Sequence, residues 1–233
     1  MKKLFTLLAL TMSFSMNAQM SDYSEGTSAT GSNAVAMGKS TTASGSRSTA
    51  MGGDSTASGD FSVAMGRGTT ASGTNSTAMG SGTIASGNNS SAMGYYTTAS
   101  GHKTTAMGAN TTASDYASLV IGQFNSSGSS VTNNATSYNT ANTAFVIGNG
   151  TDSSNKSDAF KVLFNGDTTV SNDLTVSGDV VISSDARLKS NIVSLGSTLP
   201  KLLQIDGKSY EMKGKQKIGV LAQEIQEVFP ELV

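Results

Sequence analysis

The dipeptide Met-Gly recurs at 37–38, 51–52, 65–66, 79–80, 93–94 and 107–108 and becomes Ile-Gly at 121–122, always at the same 14-residue interval. A second marker, Ala-Ser-Gly, recurs at 43–45, 57–59, 71–73, 85–87 and 99–101 and becomes Ala-Ser-Asp at 113–115. The two markers lie half a period apart, so each repeat has two Gly turns. Between turns the pattern alternates. Ser48, Ala50, Ser62, Ala64, Ser76, Ala78, Ser90 and Ala92 take alternate positions of one short segment, and Thr-Thr-Ala or close variants fill the other. Alternation with period two, rich in Thr and bounded by Gly, is a strand signal. Two short strands and two Gly turns per repeat make one coil of a narrow parallel solenoid. With strands about 4.8 Å apart, seven coils stack to roughly 30–35 Å.

Composition sharpens this reading. The chain has 233 residues, a formal net charge of −1, 13% charged residues, 6% aromatics and no Cys. A chain so rich in Gly, Ser, Thr and Asn resembles a disordered one, but disorder does not require periodic Gly. The charge balance gives no electrostatic case for nucleic acid. Inner positions made of Ala and Ser bury little apolar area, whereas ordering backbone costs about 1–2 kcal/mol per residue. A single such solenoid is therefore marginal. Met37, Met51, Met65, Met79, Met93 and Met107 recur at one coil position and form an apolar stripe too bulky for so narrow an interior. Burial against other copies of the chain is the expected solution, in preference to Met filling internal gaps.

At the N-terminus, Lys2 and Lys3 precede an apolar stretch over residues 4–16, followed by Asn17, Ala18 and Gln19. This is the pattern of a secretory signal peptide over 1–19, with the mature chain starting near Gln19 to Ser21. The apolar stretch is short for a membrane span, and no later segment is apolar enough to cross one.

The repeat Ser-x-Ala-Met-Gly-x-x-x-x-Ala-Ser-Gly resembles the head repeat of YadA-like trimeric adhesins over about residues 26–122. The resemblance implies a left-handed parallel β-roll packed three-fold, surface display, and adhesion to a host-cell, matrix or other surface ligand. The long coiled-coil stalk and C-terminal membrane β-barrel of that family are not present in this sequence, so anchoring by that route is not expected.

Residues 123–183 lose the strict period. The polar stretch 123–142 reads as loop. Runs at 144–148, 159–164, 174–178 and 180–182 read as short β-segments separated by turns, an irregular connector wound among three chains. Residues 184–233 differ again: Leu199, Leu202 and Leu203 suggest a short helix, 208–212 a strand, and 220–228 a helix ending before Pro230.

Within this last segment, Ser184-Asp-Ala-Arg-Leu-Lys189-x-Asn191-Ile192, Leu203, Tyr210, and Ile218-Gly-x-Leu-Ala-Gln-Glu through Phe-Pro-Glu-Leu-Val233 resemble the peptidase S74 family. These are intramolecular chaperone domains that end phage tailspikes, endosialidases and some cellular fibrous proteins. The resemblance implies a small α+β domain over 184–233 that trimerises, guides folding of the β-fibre before it, and cuts itself off. It places the nucleophile at Ser184, the general base at Lys189, and the cut at or beside Ser184–Asp185. The family continues past the position equivalent to Val233, so the domain reads as incomplete.

A Ser hydroxyl needs a base to take its proton, and Lys can serve when burial lowers its pKa. Ser–Lys pairs are a variant of the Ser–His–Asp scheme. The lone His102 lies in the repeat and is read as a solvent-facing turn residue. At most, then, the chain is a single-turnover endopeptidase acting on itself, with no external substrate, no cofactor and no metal site.

The fold expected is mainly β, a left-handed β-roll of 14-residue coils assembled as a homotrimer. The function expected is a secreted, surface-displayed adhesin-like fibre with a folding and release domain. Two alternatives fit part of the pattern. The adjacent columns Thr41-Thr42, Ser55-Thr56, Thr69-Thr70, Thr83-Ile84, Thr97-Thr98 and Thr111-Thr112 offer a flat hydroxyl-methyl array of the ice-binding kind, or equally β-branched residues suited to a pleated surface. A phage-type tail fibre shares the mechanism but not the signal peptide. A calcium solenoid is disfavoured, because Asp and Asn recur in no fixed column.

Overall fold

A computed structural model of the chain describes residues 18–20, 26–177, 190–193, 196, 198–212 and 214–230. Residues 1–17, which carry most of the signal-peptide reading, lie outside the described residues. The chain forms two compact units, 1–175 and 176–233.

The first unit is the solenoid. After β1 (Ala18–Met20), each coil contributes one short and one long strand. The short strands are β2 (Ser28–Ala29), β4 (Thr42–Ala43), β6 (Thr56–Ala57), β8 (Thr70–Ala71), β10 (Ile84–Ala85), β12 (Thr98–Ala99) and β14 (Thr112–Ala113). The long ones are β3 (Val35–Lys39), β5 (Thr49–Gly53), β7 (Val63–Arg67), β9 (Thr77–Ser81), β11 (Ser91–Tyr95), β13 (Thr105–Ala109) and β15 (Leu119–Gln123). Each set stacks in parallel as its own sheet, in register with the 14-residue repeat: Met51 pairs with Met65, Met65 with Met79, and Thr56 with Thr70.

Four inward columns fill the coil. Ala36, Ala50, Ala64, Ala78, Ala92 and Ala106 form one, and Ala43 through Ala113 at the same spacing form another, all 0% exposed. Ser48, Ser62, Ser76, Ser90 and Thr104 form the third; Thr41, Ser55, Thr69, Thr83, Thr97 and Thr111 form the fourth. The interior is narrow because the sheets approach across methyl and hydroxymethyl groups only.

Backbone contact between coils explains the two Gly columns. At Gly45 an added Cβ would lie 2.0 Å from the carbonyl oxygen of Gly59, and at Gly52 2.0 Å from that of Gly66, with Gly52 also at φ +109°. No side chain fits at either place, since a real Cβ never approaches a backbone oxygen so closely. Each coil also turns through two residues in the left-handed region, one column running Asn33, Arg47, Phe61, Asn75, Asn89, Lys103, Ala117 and the other Ser40, Asp54, Gly68, Gly82, Tyr96, Asn110, Phe124. Their amides continue the ladder through the corners: Phe61 N–H donates to Ser46 O at 2.8 Å and Gly68 N–H to Gly53 O at 2.8 Å.

The solenoid does not stop at residue 122. After a loop over 124–142, β16 (Thr143–Asn149) pairs in parallel with β15, Ile147 opposite Ile121 and Gly148 opposite Gly122. The Gly marker thus recurs once more, at a longer interval, and the boundary expected at 122/123 cuts through β15. An inserted loop shifts the spacing without altering the stacking. β17 (Asp158–Leu163) and β18 (Thr168–Val170) then extend the same sheet in antiparallel fashion.

One expectation for the connector needs correction. Residues 174–177 are not in a strand, and the strand that forms is β18, around Thr168-Thr169-Val170. A tight turn selects it. Gly166 N–H donates to Leu163 O and Leu163 N–H to Asp167 O, which delivers residue 168 directly onto the open edge of β17. The run at 180–182 lies outside the described residues.

The second unit contains α1 (Leu199–Leu202), β19 (Lys208–Met212), β20 (Lys215–Gly219) and α2 (Ala222–Val228), with β19 and β20 as an antiparallel hairpin. These match the helix–strand–helix reading of the sequence.

Candidate functional site

Three places are candidates for function: the Ser–Lys pair expected from the sequence, the outer face of the coil, and the far end of the solenoid. Ser184, Asp185 and Lys189 all lie outside the described residues.

The described part of the second unit has an unusual surface. Neither helix buries any residue. Ile192, Val193, Leu199, Leu202, Leu203, Ile218, Val220 and Leu221 are 41–87% exposed, and Phe229 alone among the described residues there is buried. A folded monomer seldom leaves so much aliphatic surface in water. A small polar cluster joins the hairpin to α2. Lys208 Nζ lies 2.8 Å from Asp206 Oδ2 and 3.1 Å from Glu224 Oε1. The hydrogen bond from Lys208 holds the Asp206 carboxyl below its usual range, and the bonds to Asp206 and Glu224 raise the Lys208 ammonium above its own. Lys201 Nζ sits 5.4 Å from the centre of the Phe229 ring.

On the coil, Met37, Met51, Met65, Met79, Met93 and Met107 are neither interior nor free. Each lies half-buried on the outer face of the long-strand sheet, beside an outward Thr, Val or Ser two positions earlier. They form one continuous row in register, Met93 opposite Met79 and Met107. The internal-gap role is thereby excluded, since small Ala and Ser side chains already fill the interior.

The hydroxyl array expected from paired Thr columns is halved. Thr41, Ser55, Thr69, Thr83, Thr97 and Thr111 are fully buried, and only Thr42, Thr56, Thr70, Ile84, Thr98 and Thr112 face outward. Adjacent strand residues point to opposite faces, so neighbours in sequence never share a flat surface. His102 is half-buried in a turn, where its backbone N–H donates to Ala135 O at 2.8 Å. Among the described residues no group of three His, Cys, Asp or Glu side chains is placed to hold a metal ion, and no helix is long and apolar enough to cross a membrane.

The end of the stack is closed by two polar side chains that the periodicity does not single out. Asp115 stands where the preceding Ala-Ser-Gly markers carry Gly. Its carboxylate is fully buried and accepts N–H groups of Thr132 at 2.6 Å and Thr143 at 2.8 Å. Asn125 closes the short-strand sheet: its Oδ1 accepts from Thr112 N–H at 2.8 Å while its Nδ2 donates to Thr112 O at 2.9 Å. The amide thus imitates the next strand and leaves no free edge at β14. The one visible signal is the change from Gly to Asp in the last marker.

Comparison with known families agrees with this layout. Residues 29–55, 43–69, 71–97 and 99–125 match the YadA head domain repeat, and residues 184–233 match Peptidase_S74, the chaperone of endosialidase. The chain therefore carries YadA head repeats followed by an S74 chaperone segment. No curated protein matches it.

Proposed function

We propose that this chain is an exported, surface-displayed trimeric fibre of adhesin type, whose C-terminal S74-type segment aligns three chains and then cuts itself away. The order of the matched segments carries the reading. Head repeats followed by an S74 chaperone fit an adhesin- or tail-fibre-like trimeric protein, and heads of this type are typically trimeric. Two apolar surfaces support it: the Met row along the coil and the exposed aliphatic side chains of the second unit.

A parallel solenoid pairs each coil with the next and exposes unpaired β edges until the stack is complete. Three such chains must also agree on register. A C-terminal unit that associates first, through Leu199, Leu202, Leu203 and Ile218, supplies that register before the coils stack. Cleavage afterwards leaves the assembled fibre kinetically trapped.

In the proposed cut, the Lys189 amine takes the Ser184 Oγ proton as Oγ adds to a peptide carbonyl at or beside Ser184–Asp185. The proton passes to the departing amine, and water then hydrolyses the ester. Expression of the chain from its natural gene, with Ser184→Ala and Lys189→Ala beside it, tests this on a denaturing gel. The expected result is two fragments from the unaltered chain and one band from each variant. The same pattern in all three would refute the self-cleavage.

A further inference from the structure

Two successive glycines break the outward column at one corner of the coil. Along that corner the left-handed residue is Asp54, then Gly68, Gly82 and Tyr96. Two coils without a side chain open a depression about 10 Å long, given the spacing of stacked strands. Its volume is about 320 Å³. Asp54 stands at one end, the Tyr96 ring at the other, and Arg67 and Ser81 along the side. The space over Gly68 is open, with nothing within 4 Å of where a Cβ would sit. Over Gly82, by contrast, the Tyr96 ring lies so close that a Cβ would be 2.7 Å from it. Gly82 is what lets the ring fold back and wall the groove.

This wall is costly and exposed. Tyr96 adopts φ 49°, a conformation that Gly, Asn or Asp adopts more readily, and Asn110 and Asp54 fill the same place in other coils. The ring is nonetheless 56% exposed, and Tyr95 beside it 54%. The two rings meet edge to face at 4.6 Å, which fixes their orientation. Among the described residues the Asp54 carboxylate and Arg67 guanidinium have no hydrogen-bond or ion-pair partner.

We propose that this groove binds one or two rings of a neutral saccharide, stacked on the Tyr95–Tyr96 pair with hydroxyls directed to Asp54 and Arg67. An exposed aromatic ring face beside a few convergent polar groups is the composition of a small-ligand site. Asp54 supplies acceptors and Arg67 supplies donors, the complement of vicinal hydroxyls, and their charges cancel. An extended peptide adding as a strand is disfavoured, because the floor's backbone is already in use. Gly68 N–H donates to Gly53 O at 2.8 Å, Gly82 N–H to Arg67 O at 2.9 Å, and Tyr96 N–H to Ser81 O at 2.8 Å. Recognition is left to side chains.

The proposal deepens the adhesive reading by naming a ligand class, and its test does not depend on self-cleavage. The purified chain is titrated with lactose, cellobiose and the disaccharide of N-acetylglucosamine, and binding is followed by saturation-transfer NMR. At least one sugar is expected to bind with a Kd of about 10 mM or tighter. Tyr96→Asn, which suits the left-handed corner, and Tyr95→Ser are each expected to weaken binding about tenfold or more. Arg67→Gln is expected to weaken it less, and Phe61→Asn, at the other corner, not at all. Failure of all three sugars to bind overturns the proposal, as does binding that survives Tyr96→Asn. If sedimentation shows Tyr96→Asn dissociating an oligomer, the groove is a subunit contact and the proposal is equally overturned.

Discussion

At the scale of single residues, the solenoid is held by side chains that stand where the repeat departs from itself. Asp115 is the clearest case. Replacing it with Ala leaves the buried N–H of Thr143 and the N–H of Thr132 unpaired, at a cost of about 3 kcal/mol; a thermal or urea titration of the head should show it. Ala117 gives the opposite sign. It sits at φ 57° and makes no side-chain bond that a change would lose. Ala117→Gly should therefore stabilise by about 1 kcal/mol. The interior hydroxyls offer a third test. Ser62, Ser76 and Ser90 are buried with no hydrogen-bond partner for Oγ among the described residues. A buried hydroxyl without a partner costs more than the methyl that replaces it. Ser76→Ala is expected to be neutral or to stabilise by up to about 1 kcal/mol, and a clear loss of stability would contradict this account of the core.

At the scale of elements, the legibility of the fold follows from repetition. Strand pairing in a solenoid is the same contact made coil after coil, so the regular spacing of Met-Gly carries both the strands and their register. The insertion over 124–142 hides the further coil, because β16 pairs in register only after an interval that the repeat does not contain. Ile147-Gly148 is its remaining trace. The Thr columns mislead for a different reason: two neighbours in a strand cannot face the same way, so half of a flat array has to be interior. In the second unit the short helices and the strand over 208–212 are readable from local spacing, whereas the returning strand β20 and the exposure of Leu203 and Ile218 are not. The Asp206–Lys208–Glu224 cluster is equally hidden, being made by folding. Asp206 titrates below its usual 3.8 in the folded unit, so its contribution is present above that pH and is lost as pH falls through the lowered value. Lys208 titrates above its usual 10.5, so its contribution is whole below that pH and is lost as pH rises past the higher value. A carboxyl-detected NMR titration should place Asp206 below 3.8 and return it to the ordinary range in Lys208→Gln.

At the scale of the whole molecule, the thin interior sets the requirement for partners. Each coil buries two Ala methyl groups, and a buried carbon of that size is worth about 0.8 kcal/mol, small beside the cost of ordering a whole coil of backbone. The half-buried Met row is a continuous apolar feature left to bury, and the described part of the second unit presents exposed aliphatic side chains. Burial of both surfaces is what the proposed trimer would supply. Sedimentation equilibrium of the purified chain, beside Met65→Asp and Met79→Asp together, tests this most directly. Three copies are predicted for the unaltered chain, with dissociation and a lower melting temperature for the double variant. A stable, fully folded single copy of the unaltered chain at micromolar concentration would contradict it.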